Sequence, residues 1–190
     1  MKRLLVVVLV LSVAILSIEF ISILPGNETE ENEETAAGML IKSLMISGIH
    51  NSEINLRDTY VNIGRSDVPR RLLSLVEGKC LVYRFSGAEC NLCIDHVIAS
   101  LREVFHDYES NDRIMLVGSN LNRRVLQGYY GRDVLYLQGD RLGLPAEEYN
   151  MPCLFILDEK GKSELAFIPE KSFPEMTLAY LKNIRDRYFE

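Results

Sequence analysis

Cysteine is scarce in this chain: Cys80, Cys90, Cys93 and Cys153 are the only four in 190 residues. That is too few for a small fold stapled by disulfides, so a hydrophobic core must hold the molecule together. An excess of basic charge is also missing. Acidic residues outnumber basic ones 27 to 21, the net charge is −6 and the isoelectric point lies near 5.2. Arg70-Arg71 and Arg123-Arg124 are isolated pairs of the kind found on solvated faces. Nothing forms the basic patch that a nucleic-acid binder needs, and no nucleic acid is expected as a partner. No internal repeat occurs, which excludes solenoids and propellers. What remains is 47% hydrophobic and 25% charged, the composition of a packed globular domain. The length allows one such domain plus an appendage.

The appendage is at the N-terminus. Met1-Lys2-Arg3 precedes an apolar run over residues 4–24, in which Glu19 is the sole charge. A cleaved signal peptide and a spanning helix both begin this way. No small-residue cleavage site follows, since Phe20 or Leu24 takes the −3 place at the nearby candidates. An uncleaved membrane anchor over 1–24 therefore fits better. Either reading puts the rest of the chain in the cell envelope, on the outer side of the cytoplasmic membrane, with Lys2 and Arg3 inside. Residues 25–48 begin with Pro25-Gly26 and carry Glu28, Glu30, Glu31, Glu33 and Glu34, a solvated acidic spacer ending in a short helix over 36–47. A domain over 49–190 follows.

Within it, residues 49–63 alternate in fragments and predict a strand or hairpin. Residues 68–76 (VPRRLLSLV) predict a helix with Pro69 in its first turn and Gly78 past its end. The segment 79–85 (KCLVYRF) predicts a strand buried on both faces. After Ser86-Gly87-Ala88-Glu89, a helix opens at Cys90, with Ile94, Val97, Ile98, Leu101, Val104 and Phe105 on one stripe. Strands are expected over 113–118, 133–137 and 153–158, and a helix over 122–130. A loop or broken helix over 138–150 precedes the third strand. A turn over 159–162, a returning strand over 163–168 and a final helix capped by Ser172 complete the chain. This alternation predicts an α/β fold: a central mixed sheet with helices on both faces.

Cys90-Asn91-Leu92-Cys93 is a C-x-x-C pair. Such a pair can exchange disulfides, bind zinc, or stand as an inert bridge. Zinc would need two more ligands, of which His96 is the convenient candidate, and no metal or other cofactor is expected. The setting favours exchange. A helix N-terminus offers unpaired N–H groups and partial positive charge, which stabilise a thiolate. Thiolate is the species that attacks disulfides. Cys90 is the candidate nucleophile, and Cys93, three residues on, is placed to resolve a mixed disulfide. The expected partners are protein thiols or disulfides. Met151-Pro152 stands at the head of the 153–158 strand. A cis bond there would turn the backbone toward the active helix and leave Met151's peptide groups open to an extended substrate; the sequence leaves cis or trans undecided. Cys80 and Cys153, inside expected strands, read as small buried hydrophobes, with a redox role for Cys153 as the alternative.

On LVYRFSGAECNLC with its amphipathic helix, and on EEYNMPCLFILDEKGK, residues 51–190 resemble the thioredoxin superfamily, in particular its extracytoplasmic TlpA/redoxin-like branch. The resemblance implies a thioredoxin-like fold and thiol–disulfide oxidoreductase activity. It makes Cys90 the attacking and Cys93 the resolving thiol, with a cis Pro152 facing them. Three places depart from the pattern. Glu89 stands where the family has Trp, and the chain has no Trp at all. Asn91-Leu92 replaces the usual Gly-Pro. Arg84 occupies the place of an acidic residue that helps deprotonate the second cysteine. A protein-interaction module with a permanent disulfide is the alternative these departures raise.

Overall fold

The computed structural model describes residues 48–88, 91–122, 125 and 128–189. The expected anchor (1–24), the spacer up to residue 47 and the Glu89-Cys90 pair lie outside them. Among the described residues no helix is long and apolar enough to cross a membrane.

Seven strands form one sheet: β1 (Tyr60–Ile63), β2 (Arg70–Arg71), β3 (Cys80–Ser86), β4 (Ile114–Ser119), β5 (Val134–Leu137), β6 (Cys153–Leu157) and β7 (Ser163–Phe167). Their spatial order is β2-β1-β5-β4-β3-β6-β7. β3, β4 and β5 run parallel; β1 joins β5 and β6 joins β3 antiparallel, and the outer β2 and β7 pair antiparallel with β1 and β6. The mixed sheet follows from the connections. Helix α1 (Asn91–Val104) carries the chain from β3 across to β4, and a short turn returns β6 to β7.

Every residue of β3, β4 and β6 is buried, as expected of strands that read as near-continuous apolar runs. Alternation divides β3 between two cores. Leu81, Tyr83 and Phe85 face α1 through Ile94, Val97, Ile98 and Leu101, and face Leu181 and Ile184 of helix α2 (Pro174–Tyr188). Cys80 and Val82 face the other way, among Phe155, Leu157, Val117 and Leu135.

That second face has no α-helix among the described residues. The segment 68–76 is not the expected helix: it gives β2 and a 3-10 turn, Leu72–Leu75. Leu72 N–H donates to Thr59 O at 2.8 Å, so pairing with β1 takes the backbone before a helix can close. Leu72 and Val76 nevertheless cover the second core, together with Leu142, Leu144 and Ala146 from the loop before β6. One further expectation changes. Ser172 does not cap α2; Phe173 precedes it without a side-chain cap, and Pro174 supplies its first turn. The fully buried positions of α2 are Thr177, Leu181 and Ile184, with Tyr180 and Tyr188 packed at the margin.

The outer strands are irregular. β2 is two exposed arginines long. β7 shifts register against β6 between Leu154 and Ile156, and Leu165 adopts a positive φ of 52°. The Tyr180 hydroxyl donates to Leu165 O at 2.8 Å.

Candidate functional site

Of the candidate residues, Cys93, Met151 and Pro152 lie toward one end of the sheet, and Cys90 is outside the described residues. β3 ends at Ser86, and α1 starts at Asn91, immediately after Cys90. Cys93 lies in the first turn of α1 and is half-buried. No acidic side chain stands in that turn, so nothing within it offsets the positive end of the helix. The approach is tightly held. Gly87 N–H donates to Ser119 O at 2.8 Å, and a Cβ on Gly87 would stand 2.0 Å from Asn120 O. Only glycine lets the chain pass this close to the end of β4 on its way to the cysteines.

β6 pairs antiparallel with β3, with Cys153 opposite Arg84. Pro152 and Met151 therefore continue alongside Phe85 and Ser86, toward the end at which α1 begins. Met151 is 40% exposed. Every peptide bond between described residues is trans, Met151–Pro152 included, so the cis geometry implied by the resemblance is not present. Pro152 still fits, because it stands just before β6 and no ladder bond requires its missing N–H. His96 is one turn beyond Cys93; its Nε2 is buried without a hydrogen-bond partner.

Sequence reasoning noticed Arg84 but missed what it binds. The side chain is 4% exposed, and its Nε donates to Glu147 Oε1 at 2.7 Å. Nη2 donates to Ser119 Oγ and to Asp140 O, both at 2.8 Å, and Nη1 donates to Phe85 O. Glu147 in turn accepts the N–H groups of Leu142, Gly143 and Leu144 at 2.8–3.0 Å. A buried charge must be paired, and an arginine in an otherwise apolar strand is the signal that such a partner exists. The Arg84 charge is thus matched by a carboxylate. Beside this pair opens a polar cleft of about 200 Å³, lined by Arg84, Ser86, Asn120, Glu147, Asn150 and Met151 among others.

The remaining thiols are sealed. Cys80 and Cys153 are both 0% exposed. Burial pushes the Cys153 thiol up to about 12 from its ordinary 9.0, with a backbone hydrogen bond at Phe167 opposing. It stays protonated at neutral pH and is no nucleophile there. A folded-state value above the unfolded one means that the folded form holds its proton longer. The resulting stability is complete below about pH 9 and is lost as the pH climbs toward 12. Tyr108, also raised to about 12 by burial, acts in the same sense. Urea midpoints are therefore expected to fall between about pH 8 and 10.5. Cys153→Ala should fall less steeply over that interval, and an identical slope would refute the assignment.

No protein-family model and no curated protein sequence matches the chain. Solved structures do. A protein from Bacteroides thetaiotaomicron, provisionally assigned as a protein disulfide isomerase, has a TM-score of 0.50 at 12% identity, over 73% of this chain and 91% of its own. An uncharacterized thioredoxin-like protein from Porphyromonas gingivalis has a TM-score of 0.48 at 13% identity, over 74% and 99%. A thiol:disulfide interchange protein from a Bacteroides species has a TM-score of 0.47 at 13% identity, over 73% and 91%. At 12% identity the likeness to the first of these concerns architecture, and with the mixed seven-stranded sheet it leads to one conclusion: the domain has the thioredoxin-like fold.

Proposed function

We propose that this chain is a thiol–disulfide oxidoreductase, held at the outer side of the cytoplasmic membrane by residues 4–24, that exchanges disulfides with protein partners through Cys90 and Cys93. One observation supports the reading: α1 begins at Asn91, the residue after Cys90 in sequence, and carries Cys93 in its first turn at the sheet end where Met151–Pro152 is also found. The descriptions of the solved neighbours as an isomerase and an interchange protein agree with it.

The chemistry needs only sulfur. The Cys90 thiolate attacks one sulfur of a partner disulfide, forming a mixed disulfide and releasing the partner's other sulfur as thiolate. The Cys93 thiolate then attacks Cys90 Sγ. The second partner sulfur leaves as thiolate, and Cys90–Cys93 becomes the disulfide. Two electrons pass to the partner, and a dithiol donor must reset the pair. Met151 N–H is engaged by Ala146 O, contrary to the open peptide groups the sequence suggested, so its exposed side chain is what would meet the partner's extended segment during the first step.

Cys93→Ser removes the resolving step. Expressed in the native cell envelope, this variant is expected to accumulate mixed disulfides through Cys90, visible as reducible high-mass species on non-reducing gels. No captured species with Cys93→Ser would overturn the reading. The second reading, a binding module with a permanent disulfide, draws on Glu89 and on the engagement of Arg84 with Glu147. A Cys90–Cys93 reduction potential below about −300 mV would favour it, since structural bridges resist reduction.

A further inference from the structure

We propose that Arg84 and Glu147 form a positioning pair that sets the partner-binding edge at Met151; the inference rests on the exchange reading above. The pair reaches three segments at once. Arg84 lies in β3, three residues before Gly87, and its guanidinium also holds Ser119 at the end of β4 and the carbonyl of Asp140. Glu147 gathers the backbone of residues 142–144, so the loop from Asp140 to Glu147 is tied to β3 through the salt bridge and the Arg84–Asp140 O bond, while Ala146 N–H donates separately to Asn51 Oδ1.

From Glu147 the fixed geometry runs on to Met151 without slack. Asn150 N–H donates to Glu147 O at 3.2 Å, and Met151 N–H donates to Ala146 O at 3.1 Å. Asn150 takes a positive φ of 53°, which turns the chain sharply into Met151. The residues that tie the loop down also floor the cleft beside Met151. A partner strand laid along Met151 would direct a side chain into this cleft.

Removing the guanidinium should loosen that edge and leave α1, with Cys93, in place. Arg84 acts through Met151, so its loss should weaken extended substrates more than compact ones. A small aromatic disulfide needs only the sulfurs; a peptide disulfide also needs the edge. In the full chain, below the melting temperature measured for each variant, Arg84→Met is expected to lower kcat/KM for the peptide about tenfold more than for the small disulfide, mainly through KM. Arg84→Lys, which keeps the charge but cannot span four acceptors, should fall between wild type and Arg84→Met. Amide hydrogen exchange at Asn150 and Met151 should quicken about tenfold or more in Arg84→Met, with α1 amides unchanged.

Equal losses on both substrates, or unaltered exchange at Asn150 and Met151, would overturn the proposal. If the wild type reduces neither disulfide, the exchange reading fails. The amide measurement then still decides whether the pair fixes the edge.

Discussion

Cys90→Ser is expected to abolish disulfide exchange, lowering the rate roughly a thousandfold or more. The reason is chemical. Serine's hydroxyl stays protonated at any working pH, and alkoxide is not the species that thiol–disulfide exchange uses. Stopped-flow reduction of a model disulfide by the reduced protein would measure the loss. Cys153→Ala makes the contrast in the same assay. Its thiol is sealed beneath the sheet and protonated at neutral pH, so that variant should react within about twofold of wild type. Equal rates for Cys90→Ser and wild type would remove Cys90 from the mechanism.

Phe155→Ala is expected to cost about 3–5 kcal/mol of folding stability. Phe155 is fully buried in β6, opposite Val82 of β3, in the core that no described α-helix covers. Deleting the ring leaves a cavity beneath the loop carrying Leu142, Leu144 and Ala146, and the sheet cannot close over it. The melting temperature should drop by roughly 10 °C or more, measurable by calorimetry. A loss below about 1 kcal/mol would mean that turns and loops do not make a packed layer there.

Much of this architecture could be read from residue order. KCLVYRF, RIMLVG and CLFILD are short apolar runs bounded by turn residues, and each became a buried strand within a residue or two of the expected bounds. The stripe from Ile94 to Val104 became the buried face of α1. Residues 68–76 misled because their three-and-four spacing suits a helix, while the competing bond from Leu72 to Thr59 lies outside any local window. The site was legible where it is local and hidden where it is not. Cys90, Cys93, Met151 and Pro152 were marked by motif. Glu147, 63 residues from Arg84, carries no signal in the string, and Ser119 and Asp140 O are joined to the same guanidinium only by the fold.

The irregular outer strands have a consequence for the molecule at high concentration. A flat, regular border of unpaired N–H and C=O groups invites a strand from another molecule to add on. Here one border is two arginines long, and the other is kinked at Leu165 and out of register with its neighbour. Neither offers a straight template for a visiting strand. Both flanks of the sheet therefore discourage sheet-to-sheet aggregation.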